Sequence, residues 1–345
     1  MKRRTFLAGA AAGSAALAAP AIVRAQQAAT LRVHQMLPAQ ATIPSKAIEP
    51  WARRVEEMSD GRLKFEIYPS MQLGGAPPSL YDQAKDGVVD VVQTVLGYTP
   101  GRFPKTEVFE LPFLMTNGED SSVAMQEYVE ANSMDEFADI KLLCVHTHGP
   151  GLFHTVDPVN QLEDLQGMKI RGGSRIVNDM LVRLGAEPIG MPVPQVTEAL
   201  SSGVISGTTI PWEVTLPLRV SELVSNHTGF SGTHGLYTQT FGFTMNLARY
   251  NSLPDDLKAI IDENSGVELA RKFGIAMDEG DAVGLKVAQD RGNNIITLDE
   301  AETDRWREAA QPTIDQWYGE MQAAGVDGKA LHEAAMALVE KHSMK

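Results

Sequence analysis

The chain has 345 residues, with 30 Lys and Arg against 44 Asp and Glu for a formal charge of −14, and it contains a single cysteine. One cysteine excludes an intramolecular disulfide, and an acidic chain disfavours a nucleic-acid surface, which needs clustered basic residues to meet phosphates. A small anionic ligand is still compatible, because it needs only a local positive pocket.

The first element in chain order is a targeting segment. Lys2, Arg3 and Arg4 precede Phe6-Leu7 and a run of small apolar residues that ends in Val23-Arg24-Ala25. A charged start, a short apolar stretch and a small-residue cleavage site predict a secretory signal over residues 1–25 that is removed from the mature chain. Arg3-Arg4-Thr5-Phe6-Leu7 also fits the order of a twin-arginine export signal. Cleavage removes four basic residues and no acid, leaving 26 basic against 44 acidic side chains and a charge of −18. No later stretch has eighteen consecutive apolar residues, so the mature chain is expected to be soluble, and its length suffices for two domains.

Thr30 to Met36 alternates and reads as a strand, and Ile48, Trp51, Ala52 and Val55 follow at helical spacing. Leu63, Phe65 and Ile67 mark a second strand, Leu80, Tyr81 and Ala84 a short helix ending at Gly87, and Val88 to Val95 a third strand. The third is almost continuously apolar, as a buried parallel strand should be. The same β-α-β-α-β order recurs later. Met168 to Arg171 is a strand, Ile176, Val177, Met180, Leu181 and Leu184 line a helix, and Glu187 to Met191 is a strand. A helix through Val196, Ala199 and Leu200 leads to a last strand, Val204 to Ile210. From Pro254 a helical pattern continues to about Ala288, broken mildly by Gly274, Gly280 and Gly284. A helix of that length, roughly 45 Å, exceeds one small domain and is expected to cross two. A strand at Asn294 to Thr297 and two terminal helices, Trp306 to Met321 and Lys329 to His342, complete the expected order.

Arg171 ends its strand just before Gly172-Gly173-Ser174 and a helix. That is the carboxyl edge of an open α/β sheet, where small ligands bind. A guanidinium is always charged and its planar fork fits a carboxylate with two parallel bonds. Arg175, four residues on, offers a second positive group or a helix-face ion pair. His146, His148 and His154 raise the question of a metal, but no third ligand has zinc-site spacing, so no metal and no cofactor are expected. Cys144 lies in the apolar run Ile140 to Val145 and reads as buried packing.

Around Arg171, the residues Leu162, Asp164-Leu165, Gly167-Met168-Lys169-Ile170-Arg171, Gly185-Ala186, Pro188, Met191-Pro192, Glu198-Ala199-Leu200 and Gly203-Val204-Ile205 form one signature. Earlier in the chain stand Ser59, Gly61-Arg62, Gln72-Leu73-Gly74, Gly87-Val88-Val89-Asp90, Phe103-Pro104 and Leu111-Pro112-Phe113, and later Asn251-Ser252-Leu253-Pro254. Together they resemble the solute-binding component of tripartite ATP-independent periplasmic (TRAP) transporters over nearly all of the mature chain. Ser206 departs from the pattern, where the family usually has Asp.

The resemblance implies an α/β, two-lobed Venus-flytrap architecture with a long helix spanning both lobes. Lobe I is expected from residues 26–149 with about 237–275, lobe II from 150–236 with about 276–330, and a C-terminal helix from 331–345. It also implies that Arg171 clamps a ligand carboxylate. The family often has a polar ligand contact near Ile210-Pro211-Trp212; here Trp212 would instead suit an apolar or aromatic ligand body. Phe241 and Phe243 are weaker candidates of the same kind. Tyr98 and Gln35 lie on loops expected to face the cleft, and His148 would bond the ligand or serve the hinge. The expected partners are an organic acid and the small and large membrane subunits of a TRAP transporter.

Two rival readings are a secreted α/β enzyme and a ligand-loaded sensor partner. No Gly-x-Ser-x-Gly elbow, His-Glu-x-x-His helix or Gly-x-x-x-x-Gly-Lys-Ser/Thr loop occurs in the chain.

Overall fold

The computed structural model describes residues 28–344, so the signal read over residues 1–25 lies outside the described residues. Strands β1 (Ala29–His34), β2 (Leu63–Tyr68), β3 (Val91–Val95) and β4 (Lys141–Thr147) belong to a first sheet. A second sheet takes β5 (Leu152–Thr155), β6 (Lys169–Gly172), β7 (Glu187–Gly190), β8 (Gly207–Ile210) and β9 (Asn226–Phe230). The chain then returns β10 (Thr240–Met245) to the first sheet and β11 (Asn294–Leu298) to the second. The orders are β2-β1-β3-β10-β4 and β11-β9-β5-β8-β6-β7.

The two sheets share a plan. In each, three parallel strands stand in the order second–first–third, and an antiparallel strand is added beside the third, β10 in one lobe and β5 in the other. The repeated β-α-β-α-β pattern in the sequence produces those parallel triplets. Helices α1 (Glu49–Met58) and α2 (Leu80–Lys85) join the first triplet, and α4 (Arg175–Arg183) and α5 (Val196–Ser201) the second. Helix α3 (Gly118–Asn132) precedes β4, and α6 (Val220–Leu223) precedes β9. Helices α7 (Leu247–Asn251), α8 (Asp255–Glu263), α9 (Val267–Asp290), α10 (Glu300–Ala323) and α11 (Gly328–Ser343) complete the chain.

The single long helix expected from Pro254 onward is two helices. The chain turns at Asn264-Ser265-Gly266, where Gly266 adopts φ 74°, a left-handed conformation that ends α8 and starts α9 afresh. At 24 residues α9 is about 36 Å long and packs on α3 and β4 of lobe I and on the turn Glu213–Thr215 of lobe II. Its glycines make those contacts possible. A Cβ at Gly274 would lie 2.3 Å from Gly118 O, and one at Gly284 would lie 2.1 Å from Trp212 O. What reads in the sequence as mild interruption is a close-packed face.

Helix α10 crosses back from lobe II, where Trp306 packs on Phe153 and Phe230, to lobe I, where Trp317 Nε1 donates to Pro104 O at 3.2 Å. Helix α11 then lies on α3. Cys144 is buried in β4, and burial raises its thiol well above the usual range. Among the described residues no helix is long and apolar enough to cross a membrane.

Candidate functional site

Arg171 sits near the carboxyl end of β6, paired in register with Ile189 of β7 and Thr208 of β8. Its side chain is 0 % exposed. Nε donates to Met191 O at 2.9 Å, whereas Nη1 reaches Thr209 O and Nη2 reaches Tyr98 Oη only at 3.4 Å each. The near bond fixes the plane of the fork, and the two terminal nitrogens are held loosely. Arg171 makes no ion pair with a carboxylate among the described residues, which is unusual for a buried charge, because desolvating a cation is costly unless an anion meets it.

Tyr98 comes from lobe I, in the turn after β3, and joins the lobes. Its Oη accepts from Val193 N at 2.8 Å as well as from Arg171. Burial raises its phenol above the ordinary value, with the Arg171 charge opposing, so it stays protonated. Tyr98 also forms part of the wall of a narrow cavity between the lobes, of about 40 Å³. Most of that wall is apolar, from Met36, Leu37, Ile43, Val95, Val193, Ile210, Val214, Phe241 and Met277.

The polar groups of the wall are Gln93, His148, Gln239 and Glu213 besides Tyr98. Gln93 Nε2 lies 3.2 Å from His146 Nε2, and the His146 ring stacks on Phe241 with centroids 4.7 Å apart and planes at 9°. His148 Nδ1 lies 2.5 Å from Gly149 O, and its Nε2 accepts from Gln239 N at 3.1 Å. Burial lowers His148 to about 4, so it is neutral at physiological pH, as that accepting nitrogen requires. Gln239 Nε2 is buried without a hydrogen-bond partner among the described residues, beside Gly173 at the end of β6.

Tyr98, His148 and Phe241 therefore line one cavity, with Arg171 directly behind Tyr98. Gln35 does not join them: its amide donates to Leu37 O and accepts from Leu37 N, both at 2.5 Å, which shapes the loop that presents Met36 and Leu37. Arg175 is held in ion pairs with Glu107 of lobe I and Glu320 of α10, so its charge is already matched. Burial raises Glu107 to about 7 against the pull of Arg175. The Trp212 indole lies 5.0 Å from the His154 ring and 4.8 Å from that of His227, and lines a neighbouring recess with Pro150, Phe230 and Asp281. Phe243 is packed in the lobe I core against Trp51 and Phe273. No cluster of three or more metal-ligating side chains occurs among the described residues.

Gln239, Gln93 and Glu213 carry no recognisable sequence motif. They reach the cavity from segments far apart in the chain, and only their burial marks them.

The lobes approach closely at Gly97, where an added Cβ would sit 2.6 Å from Ser174 Cβ and 3.3 Å from Glu110 Oε1. Ser174 caps α4 through Val177 N and cannot swing aside. Overpacking of this kind costs about 1–3 kcal/mol, so Gly97→Ala is expected to weaken ligand binding about tenfold by holding the lobes apart. Calorimetry with small-angle scattering of the liganded protein checks this: an unchanged affinity and radius of gyration would refute it.

Known proteins of this architecture agree in sequence as well as shape. Over 92 % of this chain and 99 % of the other, at 43 % identity and TM-score 0.90, it is similar to a TRAP solute-binding protein from a marine metagenome, specific for aromatic acid ligands and crystallised with 3-hydroxybenzoate. A TRAP solute-binding protein from Rhodoferax ferrireducens T118, solved with copurified benzoate, matches at 44 % identity and TM-score 0.90 over 91 % and 98 % of the two chains. One from Bordetella bronchiseptica with bound (R)- and (S)-mandelate matches at 29 % identity and TM-score 0.84 over 91 % and 99 %. Residues 34–320 match the family described as bacterial extracellular solute-binding protein, family 7. Two sheets of one plan, bridged by α9 around a cleft with the buried Arg171 behind it, accord with that match, and the chain belongs to this DctP family of TRAP solute-binding proteins.

Proposed function

We propose that this chain captures an aromatic monocarboxylate in the periplasm and hands it to the membrane subunits of a TRAP transporter. The observation that carries the ligand class is the buried, ion-pair-free Arg171 behind an apolar cavity. One carboxylate supplies the missing anion, and the apolar wall with Phe241 suits a ring better than a hydroxylated sugar acid or a second carboxylate. A carboxylate oxygen takes over the place at Nη2 where Tyr98 Oη now rests at 3.4 Å, and Gln239 Nε2 supplies a further donor. Tyr98 keeps its bond from Val193 N and so couples ligand capture to closure of the lobes. Water exclusion on closure lowers the local dielectric and strengthens the Arg171 pair. Nothing in this arrangement activates a nucleophile: His148 and His146 are neutral and engaged with their neighbours.

A thermal-shift screen of benzoate, hydroxybenzoates, mandelate, succinate and glucuronate tests the reading, followed by chromatography of the recovered compound. Aromatic acids should give the largest shifts and come back unchanged, since ligand at a hundredfold its Kd adds about 2.7 kcal/mol of stability. Preference for succinate or glucuronate would refute the ligand class, and turnover would favour the secreted-enzyme alternative.

A further inference from the structure

Glu213 is the cavity residue that carboxylate capture leaves unexplained. It follows β8 in lobe II, is 4 % exposed, and shares the cavity wall with Tyr98, Gln239 and Phe241. Its backbone N–H donates to Asp281 Oδ1 at 2.6 Å, which ties it to α9. Gly280 makes room for it there, since a Cβ at that position would lie 2.6 Å from Glu213 Cγ. The Thr42 hydroxyl of lobe I faces its carboxyl, but Oε1 has no hydrogen-bond partner among the described residues.

Two side chains of the cavity wall thus each carry a buried polar atom without a hydrogen-bond partner among the described residues. Gln239 Nε2 is a donor, placed by Gly173 two residues beyond Arg171, and Glu213 Oε1 is an acceptor, placed by Gly280 and Thr42. Their neighbours do not overlap, so they stand at different parts of the wall. Leaving either unpaired in a closed cleft is costly, and the other polar wall groups, Gln93 and His148, are already engaged. A ligand that satisfies both carries its carboxylate at the Arg171 end and a hydrogen-bond donor on the ring toward Glu213.

We propose that Glu213 is a specificity determinant that makes this chain prefer aromatic carboxylates bearing a ring hydroxyl or amino group over unsubstituted rings. The inference rests on the aromatic-acid reading above and narrows it. Burial raises the Glu213 carboxyl to about 7, with Thr42 opposing, so both protonation states occur near neutrality. Either state keeps an accepting oxygen, so the role survives in both. Glu213 also borders an outer recess with Thr42, Lys46 and Pro217, which sets the competing outcome, a purely interlobe contact.

Calorimetry at pH 7.5 with benzoate, 3- and 4-hydroxybenzoate and their methoxy counterparts separates the cases. In the wild type at least one hydroxy isomer should bind about tenfold tighter than benzoate and than its methoxy analogue, which keeps the size but loses the donor. In Glu213→Leu that ratio should fall to within about twofold, while Glu213→Gln, which retains a carbonyl acceptor, should keep it. Equal binding of hydroxy and methoxy ligands by the wild type overturns the proposal without any variant needing to fold. So does a ratio that survives in Glu213→Leu, or an equal loss for every acid, which marks an interlobe contact only. Failure of the wild type to bind any of these acids overturns the aromatic-acid reading as well, and is distinguishable because no ratio can then be measured.

Discussion

Arg171→Ala should lower affinity for an aromatic carboxylate about a hundredfold or more. A hydrogen bond to a charged group contributes about 1.5–3 kcal/mol, and the fork can make two to one carboxylate. Two such bonds total about 3–6 kcal/mol, against about 1.4 kcal/mol for each factor of ten. The geometry favours the upper part of that range, because Nε is pinned at Met191 O and the terminal nitrogens have only 3.4 Å contacts to give up. Arg171→Lys should lose at least tenfold, since an ammonium cannot hold Met191 O and grip both carboxylate oxygens. Titration calorimetry with benzoate or a hydroxybenzoate measures both variants. Affinities within threefold of wild type would remove Arg171 from the site.

The second large effect concerns stability. Trp317→Ala should destabilise the protein by about 3–5 kcal/mol, the usual cost of removing a fully buried large aromatic side chain. Trp317 is 0 % exposed, and its indole N–H donates to Pro104 O, fastening α10 to lobe I. From the same helix Glu320 holds Arg175, whose other partner is Glu107 of lobe I. Loosening α10 should therefore also weaken ligand binding, by less than the Arg171 changes do. Urea unfolding followed by circular dichroism tests the first part; a midpoint equal to wild type would show that α10 adds nothing to the folding unit.

Much of this architecture is visible in the amino-acid order, because the two parallel triplets are built from short alternating or continuous apolar runs that only a pleated strand satisfies. Leu63 and Phe65 of β2 are buried on one side while Lys64 and Glu66 are exposed on the other. The place of Arg171 near the carboxyl end of a strand was legible too, because the apolar run that it closes gives way to Gly172-Gly173-Ser174. Helix α3 was not. It is buried on most sides between α9, α11 and β4, so Ser121, Ser122, Val123, Ala124, Met125 and Gln126 all lie inside and no apolar stripe marks it. Strand β9, Asn226–Phe230, carries no strand signal because its sequence is polar and glycine-bearing, and pairing on both edges makes it a strand. At the cleft the difference is several residues: Gln35, Arg175 and Trp212 do not line the cavity, whereas Gln93, Gln239 and Glu213 do. The turn at 213–215 carries Glu213 to the cavity wall and lays the Trp212 indole against His154 and His227, and no local pattern reports which way such a turn faces.

The lone thiol has a practical consequence. Cys144 is sealed inside β4 and its ionisation is suppressed by burial, so at neutral pH it presents no thiolate to a maleimide. Cysteines introduced at exposed positions, one on each lobe, will take fluorophores without first editing the native chain. Energy transfer between the two dyes then follows opening and shutting molecule by molecule, in a protein otherwise wild type.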